Sequence, residues 1–141
     1  MTESPLTVVP VPKEHLDYVW PAASAELARA ARTTRGKFSA DDIYAGLLND
    51  LYLLWVVARD QTVIAAFTTR IIEYPQKRAM ALDWVGGHKM SEWLSIALDA
   101  VRAHANANGC ASVEGYGREA WGRVLSKHGF EPEYIAYRME L

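Results

Sequence analysis

RAMALDWVGGHKMSEWLSIALDAVRAHANANGCASVEGY, residues 78 to 116, decides the architecture. Arg78 to Val85 (RAMALDWV) is an apolar run of strand length, and Gly86-Gly87-His88-Lys89 interrupts it. From about Met90 to Asn108 the apolar residues Trp93, Leu94, Ala97, Leu98, Val101 and Ala105 recur at helical spacing. Gly109 suits the left-handed position that ends such a helix. Cys110 to Tyr116 (CASVEGY) then reads as a strand. A strand, a 19-residue helix and another strand in succession predict a right-handed parallel βαβ crossover.

Upstream of this unit the period is that of antiparallel strands. Tyr52 to Ala58 (YLLWVVA) and Thr62 to Glu73 (TVIAAFTTRIIE) flank Arg59-Asp60-Gln61 as a hairpin, and Tyr74-Pro75-Gln76 turns the chain into the strand at 78. Leu6 to Val11 (LTVVPV) is short and carries Pro10, which fits an edge strand where a missing N–H is tolerated. Lys13 to about Ala31 has helical spacing, with Pro21 expected to kink it or to begin a second helix. Ser39 followed by Asp42 has the form of a capping box ahead of a helix from about Ala40 to Asn49. Downstream, Glu119 to His128 reads as a short helix and Tyr134 to Glu140 as a final strand. The expected fold is α/β, a mixed and mainly antiparallel twisted sheet with helices on both faces, in one domain spanning 1–141.

Composition narrows the function classes. Fifteen Lys plus Arg against seventeen Asp plus Glu give a net charge of −2 with no basic run, which argues against nucleic acid as a partner. The single cysteine, Cys110, permits neither an intramolecular disulfide nor a CxxC metal or redox site, and reads as the start of a buried strand. No metal site is expected. No stretch of about 18 uninterrupted apolar residues occurs, and a cytoplasmic chain with no membrane partner is expected. Five tryptophans are many for 141 residues; most are expected to fill the core, and Trp93 and Trp121, at two helix starts, are the candidates for an exposed indole that would mark a partner surface.

The element order resembles the GNAT acyltransferase fold over nearly the whole chain. The sharpest piece is Arg123-Val124-Leu125-Ser126-Lys127-His128-Gly129-Phe130, which is similar to the family's late Y-x-x-x-GF helix end. Gly117 to Leu125 (GREAWGRVL), with Gly86-Gly87 and Glu92-Trp93-Leu94, also resembles small GNAT-like proteins often encoded by bacteriophages.

The resemblance implies acyl transfer from acetyl-CoA to an amine. That chemistry needs backbone donors for a pyrophosphate, a base for the amine, donors for an oxyanion and an acid for the departing thiolate. The cofactor position falls on Val85, Gly86, Gly87, His88, Lys89 and Met90, although the family's Arg/Gln-x-x-Gly-x-Gly/Ala spacing is absent and two glycines also serve as a plain tight connection. Arg118, where many members have Asn, either reaches phosphate or pairs with Glu114 or Glu119. Asp83 is the candidate base, with Glu73 beside it as a strand-end carboxylate. Leu125 stands where the family's acidic Tyr is usual, and Tyr116 is the candidate substitute. The implied partners are a small-molecule or protein amine, and a second copy paired through the last strand. A catalytically degenerate binding or assembly protein, in a phage particle or against a host protein, is the alternative.

Overall fold

The structure, a computed structural model, describes residues 4–141. The chain order is β1 (Thr7–Pro10), a 3-10 turn (Lys13–His15), α1 (Leu16–Arg32), α2 (Ala40–Leu48), β2 (Leu53–Arg59), β3 (Thr62–Glu73), β4 (Arg78–Gly87), α3 (Met90–Ala107), β5 (Ser112–Gly115) and α4 (Trp121–Ser126). The strands form one sheet in the order β1-β2-β3-β4-β5. Every neighbouring pair is antiparallel except β4 and β5, which run parallel across the α3 crossover.

Strand alternation distributes the apolar side chains to two faces. Trp55, Val57, Ala65, Phe67, Met80 and Leu82 pack under α3 with Trp93, Leu94, Leu98 and Val101. Leu54, Val56, Ala66 and Trp84 face the opposite way, against Leu16, Leu27, Ile43 and Leu47 of α1 and α2. The capping box at Ser39 is complete: Ser39 N–H donates to Asp42 Oδ2 at 2.8 Å and Asp42 N–H to Ser39 Oγ at 3.3 Å. Gly109, at φ 70°, follows the end of α3.

Pro21 lies inside α1 and does not begin a second helix. Three boundaries differ from the sequence-based expectation. β4 runs past Val85 to Gly87, because Gly86 and Gly87 pair with Ala66 and Ala65 of β3. β5 is shorter than Cys110 to Tyr116; Cys110 precedes it and donates its N–H to Ala105 O, in the turn that leaves α3. Residues 134–140 form no strand. A strand needs a partner and a face to bury, and Tyr134, Ile135 and Tyr137 are 69%, 71% and 91% exposed.

The sheet opens at one point. β4 and β5 share rungs from Ala79 with Ser112 to Leu82 with Gly115, and there the pairing stops. Immediately beyond, the β3 register slips between Phe67 and Thr69, so that Thr68 stands opposite both Asp83 and Trp84. This bulge bends β4 where its parallel neighbour is lost, and the two strands part.

Candidate active site

The parting of β4 and β5 opens a cleft of about 700 Å³. One wall is β4 and the start of α3, with Asp83, Trp84, Val85, Gly86, Gly87, Met90 and Trp93. The facing wall is the end of β5 and α4, with Tyr116, Arg118, Trp121 and Leu125. The cleft continues to the α1–α2 side, where Arg29, Thr33, Thr34, Phe38, Leu51, Tyr52 and Arg70 complete it. Trp84, Trp93 and Met90 are walls of this space and leave it open.

The backbone of β4 is only half committed. His88 N–H donates to Ile64 O at 3.1 Å, which makes these two residues a hydrogen-bonded rung. Alternation along an antiparallel ladder gives the next such rung to Gly86 and Ala66, and turns the N–H groups of Val85 and Gly87 away from β3, into the slot. The first amides of α3 add donors and the positive end of the helix dipole. Trp93 fixes this corner by donating its indole N–H to His88 O at 2.8 Å. Trp93 is 1% exposed and belongs to the core, as expected of most of the tryptophans, and Trp121 is half-buried in the opposite wall.

The two glycines have their reason inside the protein. A Cβ on Gly86 would collide with the carbonyl oxygen of Glu26 in α1, and one on Gly87 with Ala65 of β3. Their missing side chains admit the neighbouring chain, and both residues also line the cleft. His88 and Lys89 lie outside the cleft lining. His88 Nε2 is 3.2 Å from Arg29 Nη2 and 3.5 Å from Glu26 Oε1, and the Arg29 guanidinium is itself bonded to Glu26. Lys89 takes a left-handed conformation (φ 54°) as the N-cap of α3.

Asp83 is in the cleft, and Arg70 holds it by two bonds, Nε to Oδ2 at 2.7 Å and Nη2 to Oδ1 at 3.1 Å. These bonds lift the Arg70 pKa above its ordinary value. Glu73 pairs with Arg78 at 2.6 Å, on the rung beside the β3–β4 turn, and is not among the cleft-lining residues. Tyr116 donates to Glu114 Oε2 at 3.1 Å, and the Tyr74 hydroxyl reaches the same oxygen at 2.7 Å. Desolvation, with the bonds to Glu114 and Tyr74, raises the Tyr116 pKa, so the phenol keeps its proton. Arg118 pairs with neither Glu114 nor Glu119 and has no ion pair or side-chain hydrogen bond among the described residues, so its guanidinium is available to the cleft. Leu125 lines the cleft with an apolar side chain.

The sequence matches no family model and no curated protein. Solved structures do match. The aminoglycoside N-acetyltransferase AAC(6')-Iy in complex with CoA superposes with a TM-score of 0.71 at 16% identity, over 99% of this chain and 98% of that one. Glucosamine-6-phosphate N-acetyltransferase from Arabidopsis thaliana gives 0.69 at 11% identity, over 97% and 99%. A predicted acetyltransferase with acetyl-CoA from Clostridium acetobutylicum gives 0.68 at 12%, over 96% of each chain. The chain has the GNAT fold. The mixed five-stranded sheet with its one parallel pair, β4–β5, matches that fold. Among the described residues no helix is long and apolar enough to cross a membrane.

Arg29, Phe38, Tyr52 and Arg70 escaped the sequence reading. Arg70 had a signal: counting rungs back from the Tyr74 turn sets Arg70 opposite Ala81, two residues from Asp83 on the same strand face. Arg29, Phe38 and Tyr52 had none, because helix packing brings them to the cleft.

Proposed function

We propose that residues 1–141 act as one acyl-CoA-dependent N-acyltransferase unit, with acetyl-CoA as the donor and a small-molecule or protein amine as the acceptor. The observation that carries this is the split between β4 and β5, where the Val85 and Gly87 amides face an open cleft that runs through to the α1–α2 side. These groups fit an acyl-CoA. The two amides and the first turn of α3 at Met90 offer donors to its polar chain, and Arg118 supplies a positive charge to its phosphates. Acyl-CoA, when bound, supplies an acyl group on a thioester, whose C–S bond breaks as a C–N bond to the amine forms.

In this reading Asp83 receives the proton that the amine gives up, held in place by Arg70 and accepting through the lone pairs that Arg70 leaves unused. Tyr116 is the protonated group on the facing wall and donates a proton to the thiolate once it turns from Glu114. Self-association through residues 134–140, whose Tyr134, Ile135, Tyr137 and Met139 are exposed, belongs to the same reading and is tested by sedimentation. Thermal unfolding with acetyl-CoA tests the core of the proposal: binding to the folded chain at 100 times Kd stabilises it by about 2.7 kcal/mol. Arg118→Ala should reduce that stabilisation, and no shift at millimolar acetyl-CoA would remove the cofactor assignment.

A second reading is a GNAT-fold protein that binds without turning over, in the phage-like setting that the sequence resemblance suggests. Leu125 in the cleft and the double engagement of Asp83 by Arg70 favour it. An acetyl-CoA-dependent shift with no thiol release across a panel of amines would select this reading.

A further inference from the structure

We propose that the α1–α2 end of the cleft takes a small amine that also carries a carboxylate and an aromatic body, and that it discriminates against polycationic amines. The inference rests on the acyltransferase reading, since it names the acceptor of that same cleft.

Charge decides the first half. The cleft lining contains Arg29, Arg70 and Arg118 but a single acid, Asp83, which Arg70 already neutralises. In sequence, residues 29 to 39 carry Arg29, Arg32, Arg35 and Lys37 and no acid, ahead of Asp41 and Asp42 at the start of α2. Arg29 is matched by Glu26, whereas the side chains of Arg32, Arg35 and Lys37 have no ion pair or hydrogen bond among the described residues. Arg35 and Lys37 are exposed. A molecule with several ammonium groups would meet the guanidinium groups of Arg29, Arg70 and Arg118 on the lining and one carboxylate, already bonded to Arg70, and like charges brought together in a cleft cost affinity. A carboxylate on the acceptor meets the complementary field, and Arg29 keeps donors beyond those spent on Glu26 and His88.

The apolar half comes from the rings. Phe38, Tyr52 and Trp84 line this end together with Leu51. Phe38 stands edge-on to Trp84, with ring centroids 5.0 Å apart and planes at 67°. Phe38 and Leu51 remain 43% and 51% exposed, although both stand beside apolar neighbours. A flat aromatic body laid there would cover them and meet the rings in offset or edge geometry.

The test needs no turnover. The protein is titrated with L-phenylalanine, phenylethylamine and spermidine, and binding is followed by intrinsic tryptophan fluorescence with Trp84 in the wall. L-phenylalanine is expected to bind at least about tenfold more tightly than spermidine, and more tightly than phenylethylamine, which lacks the carboxylate. Phe38→Ala, at a position 43% exposed, should weaken L-phenylalanine by about tenfold, with a thermal melt of the variant confirming that it folds. Spermidine binding as tightly as L-phenylalanine, or an absence of L-phenylalanine binding at millimolar concentration, would overturn the proposal. The acetyl-CoA melting experiment reports separately on the cofactor, so loss of that reading and loss of this one give different results.

Discussion

The two walls of the cleft are built to different standards. The β4–α3 wall is continuous with the core: Trp93 is 1% exposed, Met80 1% and Leu94 5%, and β4 is bonded along its length to β3. The β5–α4 wall rests on a strand of four residues and a helix of six that buries none of its residues. Val124 and Phe130 reach the core from this side only as half-buried contacts. The difference teaches a division of labour. On the proposed reading, the amides of Val85 and Gly87 that would hold the cofactor sit on the wall that cannot move without unfolding the sheet, and the proposed Tyr116 and Arg118 side chains sit where local opening costs little.

The largest expected effect separates the walls directly. Trp93→Ala removes a fully buried ring and its bond to His88 O, and should cost about 3–5 kcal/mol, against about 1 kcal/mol for Trp121→Ala, both read by denaturant unfolding. Equal costs would erase the contrast. Next, Asp83→Asn should lower turnover about 100-fold while the acetyl-CoA-induced melting shift persists, because the carboxylate is assigned to the amine and not to the cofactor. Unchanged turnover would remove it as base.

Glycine substitutions sharpen the same comparison. Gly86→Ala drives a Cβ into the Glu26 carbonyl and should destabilise by about 1–3 kcal/mol. Gly122→Ala in α4 meets no atom within 4 Å and should stabilise by up to about 1 kcal/mol through helix propensity. Thermal melts of the two variants check the pair. The smallest effect concerns pH. The Tyr116 pKa is raised above 10.0 in the folded chain, so the native state keeps a proton that the unfolded state releases. The corresponding stability is present below pH 10 and declines as pH rises beyond it. Tyr116→Phe should flatten that alkaline slope, as followed by melting temperature against pH.

The mixed sheet and the βαβ crossover were legible in residues 78 to 116, because the period changes from strand to helix and back within one stretch. The capping box at Ser39 and Asp42 was equally legible, being a contact between residues three apart. No strand forms at Tyr134 to Glu140, because strand-like composition cannot supply a partner edge. From sequence Gly86 and Gly87 suit a ligand loop or a tight connection; that α1, sixty residues earlier in the chain, crosses Gly86 at Glu26 is a long-range contact with no local signal.

Local pattern thus determined the elements and their order, since hydrophobic period, caps and turn residues act over a few positions of the chain. Tertiary structure alone decided the cleft. The bulge at Asp83 and Trp84, the pairing of Asp83 with Arg70, and the meeting of Arg29 and Phe38 with β4 depend on strand register and on how α1 and α2 lie across the sheet. Those are contacts between residues far apart in sequence, settled by which packing buries both apolar faces at once.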